Sequence, residues 1–360
     1  MKKKRSKWKF VWQLVYIFGT MLIIYFLGFA DPEFKKLSEN LTQFDPFWLW
    51  MCLAALIGFW IIQGGVLAYC TRLVGDRISY WKNLKITLIG EYYSAITPFS
   101  TGGQPMQMGY YKRYGVNFAK STCILGVRFI GYIFSMCICY VLVMIFRGTV
   151  IYEQYNGLFW LTTFGFIINF VMVLFILMVL INKKLITKIG MFVINVMTKF
   201  KLFRNKREHL VEKFLKGVDD FSSAGVYLKT APLKALGVIL ISFASVVCLY
   251  SICYFIYRAM GLNAAGYIDL FTMQVFLYLA VSFFPSPGAI GASEGGFYMF
   301  FGSFFSPNFI YLAMMLWRLF TYYSNLIIGA IIIIWDEVYS MIHSKKEPPN
   351  PPPTEVMPSE

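Results

Sequence analysis

Residues 84–105 read LKITLIGEYYSAITPFSTGGQP, and the path of this stretch sets the orientation of every element after it. Its apolar part, 84–99, falls short of the roughly 20 residues that a helix needs to cross a bilayer. It then meets Thr97-Pro98-Phe99-Ser100-Thr101-Gly102-Gly103-Gln104-Pro105, where prolines and glycines interrupt any helix. More apolar residues follow with no charged loop between. The pattern predicts one arm of a re-entrant hairpin, which enters the membrane and leaves on the same face. Residues 268–284 repeat it, ending in Pro285-Ser286-Pro287-Gly288-Ala289-Ile290-Gly291-Ala292-Ser293-Glu294-Gly295-Gly296.

Around these two stretches lie longer apolar runs, at 10–30, 47–69, 121–146, 158–181, 235–257 and 309–335. Each is long enough to span. The chain is 58% hydrophobic and 14% charged, whereas a soluble domain is about half apolar and about a quarter charged. Its 24 Tyr and 9 Trp suit the two membrane interfaces. The opening MKKKRSKWKF is a basic flank on a full-length span with no small-residue cleavage site, so 10–30 reads as a retained helix and not a signal peptide.

The net charge of +15 would also fit a nucleic-acid binder, but its placement does not. With the N-terminus in the cytoplasm, Lys and Arg number six in 1–9, four in 71–85, three in 112–120, twelve in 182–234 and two in the tail. External segments hold four: Lys35, Lys36, Arg147 and Arg258. A full crossing by 84–99 would put the twelve-charge segment outside, against the positive-inside rule. The fold class expected is therefore an all-α polytopic membrane protein, with six full transmembrane helices plus two re-entrant hairpins. Both termini are cytoplasmic, and the basic face would attract anionic lipid headgroups.

The organisation expected is one integral-membrane domain, 1–340, with a basic cytoplasmic connector at 182–234. Within the connector Leu210, Val211, Phe214, Leu215, Val218 and Phe221 share one helical face, as in an interfacial amphipathic helix. Residues 341–360 are Pro-rich and read as a disordered tail. Residues 47–146 and 235–335 run helix, hairpin, helix with opposite orientation, which is an inverted repeat of the kind transporters use. Both turns pair prolines with hydroxyl residues and end in Gly-Gly. The helix after each carries an Arg with a Tyr four residues later: Arg128 with Tyr132, and Arg318 with Tyr322.

Non-helical backbone at membrane depth must line a cavity or be buried in protein. The turns therefore nominate Ser100, Thr101, Gly102, Gly103, Gln104, Ser286 and Ser293 as site residues, with Tyr132 and Tyr322 beside them. Ser293 is placed to cap the helix after the second turn, with Glu294 in its first turn. Arg128 and Arg318 lie inside spans, where a charge faces the bundle interior or water, and Arg suits bidentate contact with phosphate. Alternate binding of a lipid phosphate from the two faces is one role for them. Structural ion pairs closing the hairpins onto the bundle are another, and Arg128 also lies shallow enough to snorkel. Glu91 and Glu294 would hold these arginines or release them on protonation.

Gly291-Ala292-Ser293-Glu294-Gly295 matches the G-x-S-x-G pattern of serine hydrolases, but the two histidines, His209 and His343, lie in cytoplasmic segments. No strand precedes the motif. There is no P-loop, dinucleotide fingerprint or zinc-site spacing, so no cofactor or metal is expected. The seven cysteines all fall in apolar runs and read as packing residues.

The run Gly90-Glu91-Tyr92-Tyr93 through Pro105 resembles the transmembrane region of the bacterial lysylphosphatidylglycerol synthase/flippase family. So does Phe284-Pro285-Ser286-Pro287-Gly288 through Gly296. The resemblance covers about residues 8 to 340. In fused members a cytoplasmic domain makes the lysylated lipid, and the membrane domain is thought to flip it. About 25 residues follow residue 335, so the resemblance implies the flippase half standing alone, in a bacterial inner membrane. The expectation is a flippase-like transporter of an anionic or aminoacylated phospholipid, or of a polyprenyl-phosphate-type lipid. The membrane part of a phosphatidylglycerol lysyltransferase, serving lipid modification and cationic-peptide resistance, is a second reading. An anion channel or small-solute transporter is a third. Phospholipid is the expected partner; a homo-oligomer and a separate lipid-modifying enzyme are further candidates, and nucleic acid is not.

Overall fold

The computed structural model describes residues 44–154, 156–199, 207–208, 210–212, 214–215, 217–218, 232–282 and 284–344. The expected span 10–30 and all but the first four residues of the tail 341–360 lie outside them. Among the described residues the chain is helical throughout, with no strand.

Helix α1, Pro46–Leu73, begins where Asp45 accepts the N–H of Phe47 at 3.0 Å, with Pro46 at the first helical position. It pairs with α7, Pro232–Ala259. The Asp45 N–H reaches Ala259 O at 3.0 Å, and Gln63 donates to Ser245 Oγ at 2.9 Å. Contacts at the start of one helix thus fall at the end of the other, so α1 and α7 run antiparallel. Helix α4, Phe118–Gln154, lies against α7 where Gly131 meets Val238 and Ser242. Helix α5, Asn156–Ile181, turns an exposed apolar side outward through Trp160, Phe164, Ile167 and Val171.

Among the described residues, five helical stretches are long and apolar enough to cross a membrane: Pro46–Leu73, Phe118–Thr149, Gly157–Met178, Leu233–Ala259 and Phe309–Tyr339. They correspond to five of the six spans read from the sequence. The last is not one regular helix. Helix α10, Pro307–Arg318, passes through a π-turn at Leu319–Tyr323 before α11, Ser324–Ser344, continues. Helix α11 also covers the first four residues, 341–344, of the segment expected to be disordered.

The two short apolar stretches form hairpins. Helix α2, Tyr80–Ala95, folds back onto α3, Gly103–Arg113, and α8, Tyr267–Val281, folds back onto α9, Ala292–Phe301. None of the four arms exceeds 16 residues. Between the arms sit Pro98–Ser100 and Pro287–Ala289, single turns that contact each other. The turns share an unusual backbone: Phe99 and Ser100 have φ of 53° and 54°, and Gly288 and Ala289 have φ of 58° and 51°. Two consecutive left-handed residues after a proline reverse the chain in each case. The arms of the first hairpin approach closely because Gly90 leaves room for the Gln107 side chain, whose Nε2 donates to Ile86 O at 3.2 Å.

In the connector, α6, Lys183–Met197, starts on Asn182, which accepts the N–H of Leu185 at 3.2 Å. Of the amphipathic segment 210–221, the described residues are helical, and the ring of Phe214 rests on Gly190 of α6. Phe221 lies outside the described residues.

Candidate functional site

A cavity of about 720 Å³ opens where the two hairpin tips meet α1, α4, α5, α8 and the π-turn. Helix α4 delivers Arg128 and Tyr132 to its wall, and the end of α10 delivers Trp317 and Arg318. Each guanidinium is held by a carboxylate and one further acceptor. Arg128 donates from Nη2 to Glu91 Oε1 at 2.9 Å and from Nε to Gln63 Oε1 at 3.0 Å. Arg318 donates from Nε to Glu294 Oε1 at 2.7 Å and from Nη1 to the Gly288 carbonyl at 3.1 Å. Its Nη2 lies 2.6 Å from the same Glu294 oxygen.

The two pairs differ in what the carboxylate does. Glu294 is fully engaged, because Oε2 also accepts the Gly291 N–H at 2.6 Å. It fastens the start of α9 to Arg318, which is only 4% exposed, and Glu294 does not line the cavity. Glu91 holds Arg128 through one oxygen and stands on the cavity wall. Glu294 thus reads as a structural strut, and Glu91 as a group facing whatever occupies the cavity.

Tyr322 joins the two tips. Its ring covers Gly288, and its hydroxyl donates to the Ala95 carbonyl of the first hairpin at 3.3 Å. Arg318 lies over the same ring, with Cζ 5.1 Å from the centroid, and 5.3 Å from that of Trp317. A side chain at 288 would collide with the tyrosine and strain the left-handed backbone, so glycine is required there.

Most residues singled out in the sequence come together. Glu91, Ser100, Thr101, Gln104 and Arg128 line the cavity from the first half, with Tyr132. Ser286, Ser293, Arg318 and Tyr322 line it from the second. Gly102 and Gly103 do not. Gly102 caps α3, its N–H donating to Thr97 Oγ1 at 2.8 Å, and Gly103 sits where a Cβ would come 2.6 Å from the Gly90 carbonyl. Ser293 is not the cap of α9. Gly291 holds that position, with φ of 88°, and the Glu294 carboxylate performs the capping.

Sequence reasoning passed over Gln63, Asn169, Tyr278 and Asn325, all on the cavity wall. Asn169 donates to Ser282 Oγ at 3.2 Å, tying α5 to the second hairpin. Asn325 accepts from Trp60 Nε1 at 2.7 Å and donates to Thr321 O at 2.8 Å across the π-turn. A usable signal existed, since an amide side chain inside an otherwise apolar span is rarely left without a task. Guanidinium, carboxylate, amide and hydroxyl groups thus share a wall otherwise lined by apolar side chains, an arrangement able to bind a molecule with a polar group and an apolar body.

A family model described as "Lysylphosphatidylglycerol synthase TM region" matches residues 11–329. The chain is also similar to a UPF0104 membrane protein of Archaeoglobus fulgidus, at 26% identity over 310 residues. That alignment takes in 83% of this chain and 88% of the relative.

Proposed function

The chain belongs to the lysylphosphatidylglycerol synthase TM-region family of multi-pass membrane proteins, and on that premise we propose that it is a flippase-like transporter. It passes the headgroup of an anionic or aminoacylated phospholipid, or of a polyprenyl-phosphate-type lipid, between the leaflets through the cavity. The observation that carries this reading is that two guanidinium groups, one from each half of the chain, face one cavity closed by two hairpin tips. Arms this short do not span, which supports a re-entrant path for both. The antiparallel pairing of α1 with α7 and the matching left-handed turns support an inverted repeat.

The size of the cavity fits the task. Ligand pockets run from about 300 to 1,000 Å³, so a headgroup enters while the acyl chains stay in the bilayer. Each arginine keeps a carboxylate partner at rest, which offsets the cost of a charge at depth. A phosphate then competes for the guanidinium, and Glu91 is the partner with room to yield. Energy comes from an ion gradient or from the lipid gradient itself.

Purified protein in proteoliposomes, with a panel of labelled anionic lipids, tests this. The expected result is protein-dependent translocation of at least one lipid, lost in Arg128→Ala and in Arg318→Ala although both insert. No translocation across the whole panel by folded protein overturns the reading.

A further inference from the structure

We propose that two salt-bridge clasps, one at each end of the bundle, gate the cavity by holding the base of each hairpin to the helix that follows the other hairpin. The proposal rests on the transport reading and adds its regulation.

The first clasp joins both arms of the first hairpin to α11. Lys85 on α2 and Arg113 on α3 converge on Asp336, and Arg113 contributes an Nη1 contact of 3.1 Å. Arg113 Nη2 also lies 3.6 Å from Glu337. The Tyr110 ring sits beneath the Arg113 guanidinium at 4.5 Å. The second clasp joins the start of the second hairpin to α4, where Arg147 Nη2 meets Asp269 Oδ1 at 3.1 Å. Asp269 also accepts the Gly266 N–H at 3.0 Å, so the carboxylate is fixed to the hairpin base.

The two clasps occupy matching places. Arg147 follows Arg128 by 19 residues, and Asp336 follows Arg318 by 18. In each half the helical segment that follows the cavity arginine reaches the opposite hairpin, along α4 in the first half and through the π-turn and α11 in the second. The signs are exchanged, with cations on the first hairpin and an anion on the second. The clasps also lie at opposite ends. Lys120, near the start of α4, pairs with Asp76 at 3.1 Å beside the first hairpin's base. Arg147 lies further along the same helix by on the order of 40 Å, at about 1.5 Å per residue.

Their strengths differ in this conformation. Asp336 and Glu337 are 18% and 12% exposed and meet two cations, Lys85 at 26% and Arg113 at 40%, whereas Arg147 and Asp269 form one pair at 42% and 34% exposed. A shielded, branched network outlasts a single wet pair. The structure therefore assigns a closed gate at the Lys85 end and a looser one at the Arg147 end. Releasing either clasp frees a hairpin to swing about its tip, where Tyr322 bridges the two turns.

A reporter cysteine, Ser100→Cys, in the cavity wall reads the gate through a membrane-impermeant thiol reagent added to either face of oriented vesicles. Background from the native cysteines is subtracted with the parent protein. Asp336→Asn with Glu337→Gln should raise labelling from the Lys85 face at least threefold. Arg147→Gln should raise it from the opposite face, and the exchange Arg147→Asp with Asp269→Arg should restore the parental pattern. If the carboxylate variants do not fold, Lys85→Gln with Arg113→Gln opens the same clasp from the hairpin side. Labelling that ignores these changes in folded protein, or an exchange that restores nothing, overturns the proposal. Lipid movement in parallel vesicles, whose proteins carry the same clasp changes without the reporter cysteine, separates the two ideas. Gated labelling with no lipid movement keeps the clasps and removes the transport reading; parental lipid movement with indifferent labelling does the reverse.

Discussion

The two glutamates look alike in the sequence, yet the structure sets them different tasks, and that difference is measurable. Glu294 binds a nearly buried arginine and caps a helix with its other oxygen. Glu294→Gln removes the charge partner of Arg318, which should lower stability by about 3 kcal/mol, read as a fall in thermal midpoint in detergent. Glu91→Gln leaves an arginine that is 17% exposed, against 4% for Arg318, and that keeps its Gln63 contact. It should change the midpoint little and alter transport instead. Equal melting of the two variants would sink this division. The arginines and glutamates were legible from sequence because charges at membrane depth stand out. Their pairing was less so: Arg128 reaches back 37 residues and Arg318 back 24, to opposite arms of their respective hairpins.

At the level of the element, the π-turn at Leu319–Tyr323 is the feature that sequence periodicity hid. Its residues are ordinary, and an apolar run of this length reads as one continuous helix. A π-turn is one residue wider than an α-turn and frequently marks a functional site. Here it places Thr321, Tyr322 and Asn325 on the cavity wall together. Deleting Phe320 should close the turn to α without shifting the register of either flank. The expected outcome is a folded protein whose lipid translocation falls by on the order of tenfold, because Tyr322 no longer reaches both tips. Translocation at the parental rate would argue that the wide turn is incidental. The helix–turn–helix pairs, by contrast, were readable, since Pro/Gly punctuation ends each short apolar stretch. Their tight arms depend on Gly90: Gly90→Val would drive α2 and α3 apart around Gln107, at a cost of about 1–3 kcal/mol visible in thermal unfolding.

For the whole molecule, the claim at stake is which ends share a face. Both ends of the first hairpin should lie on one side and the far end of α4 on the other. Single cysteines at Lys82 and Arg113 should react with an impermeant reagent from the same face, and one at Arg147 from the opposite face. Reaction of Lys82 and Arg113 from different faces would turn the hairpin into a crossing and remove the closed chamber. Charge distribution is what speaks for this topology, because a crossing at 84–99 would export twelve basic residues. What charge does not encode is how the halves interlock. That depends on small residues such as Gly131 and on single polar contacts such as Gln63 with Ser245, which leave no periodic trace.

The antiparallel crossing of α1 and α7 bears on how such a chain is divided. Each half uses its leading helix to meet the leading helix of the other, pointing the opposite way. On the inverted-repeat reading, a half-length chain made alone would find an equivalent neighbour only in a sister copy inserted upside down. A gene cut between the halves therefore needs mixed insertion, some copies facing each way, to rebuild the scaffold from a single product.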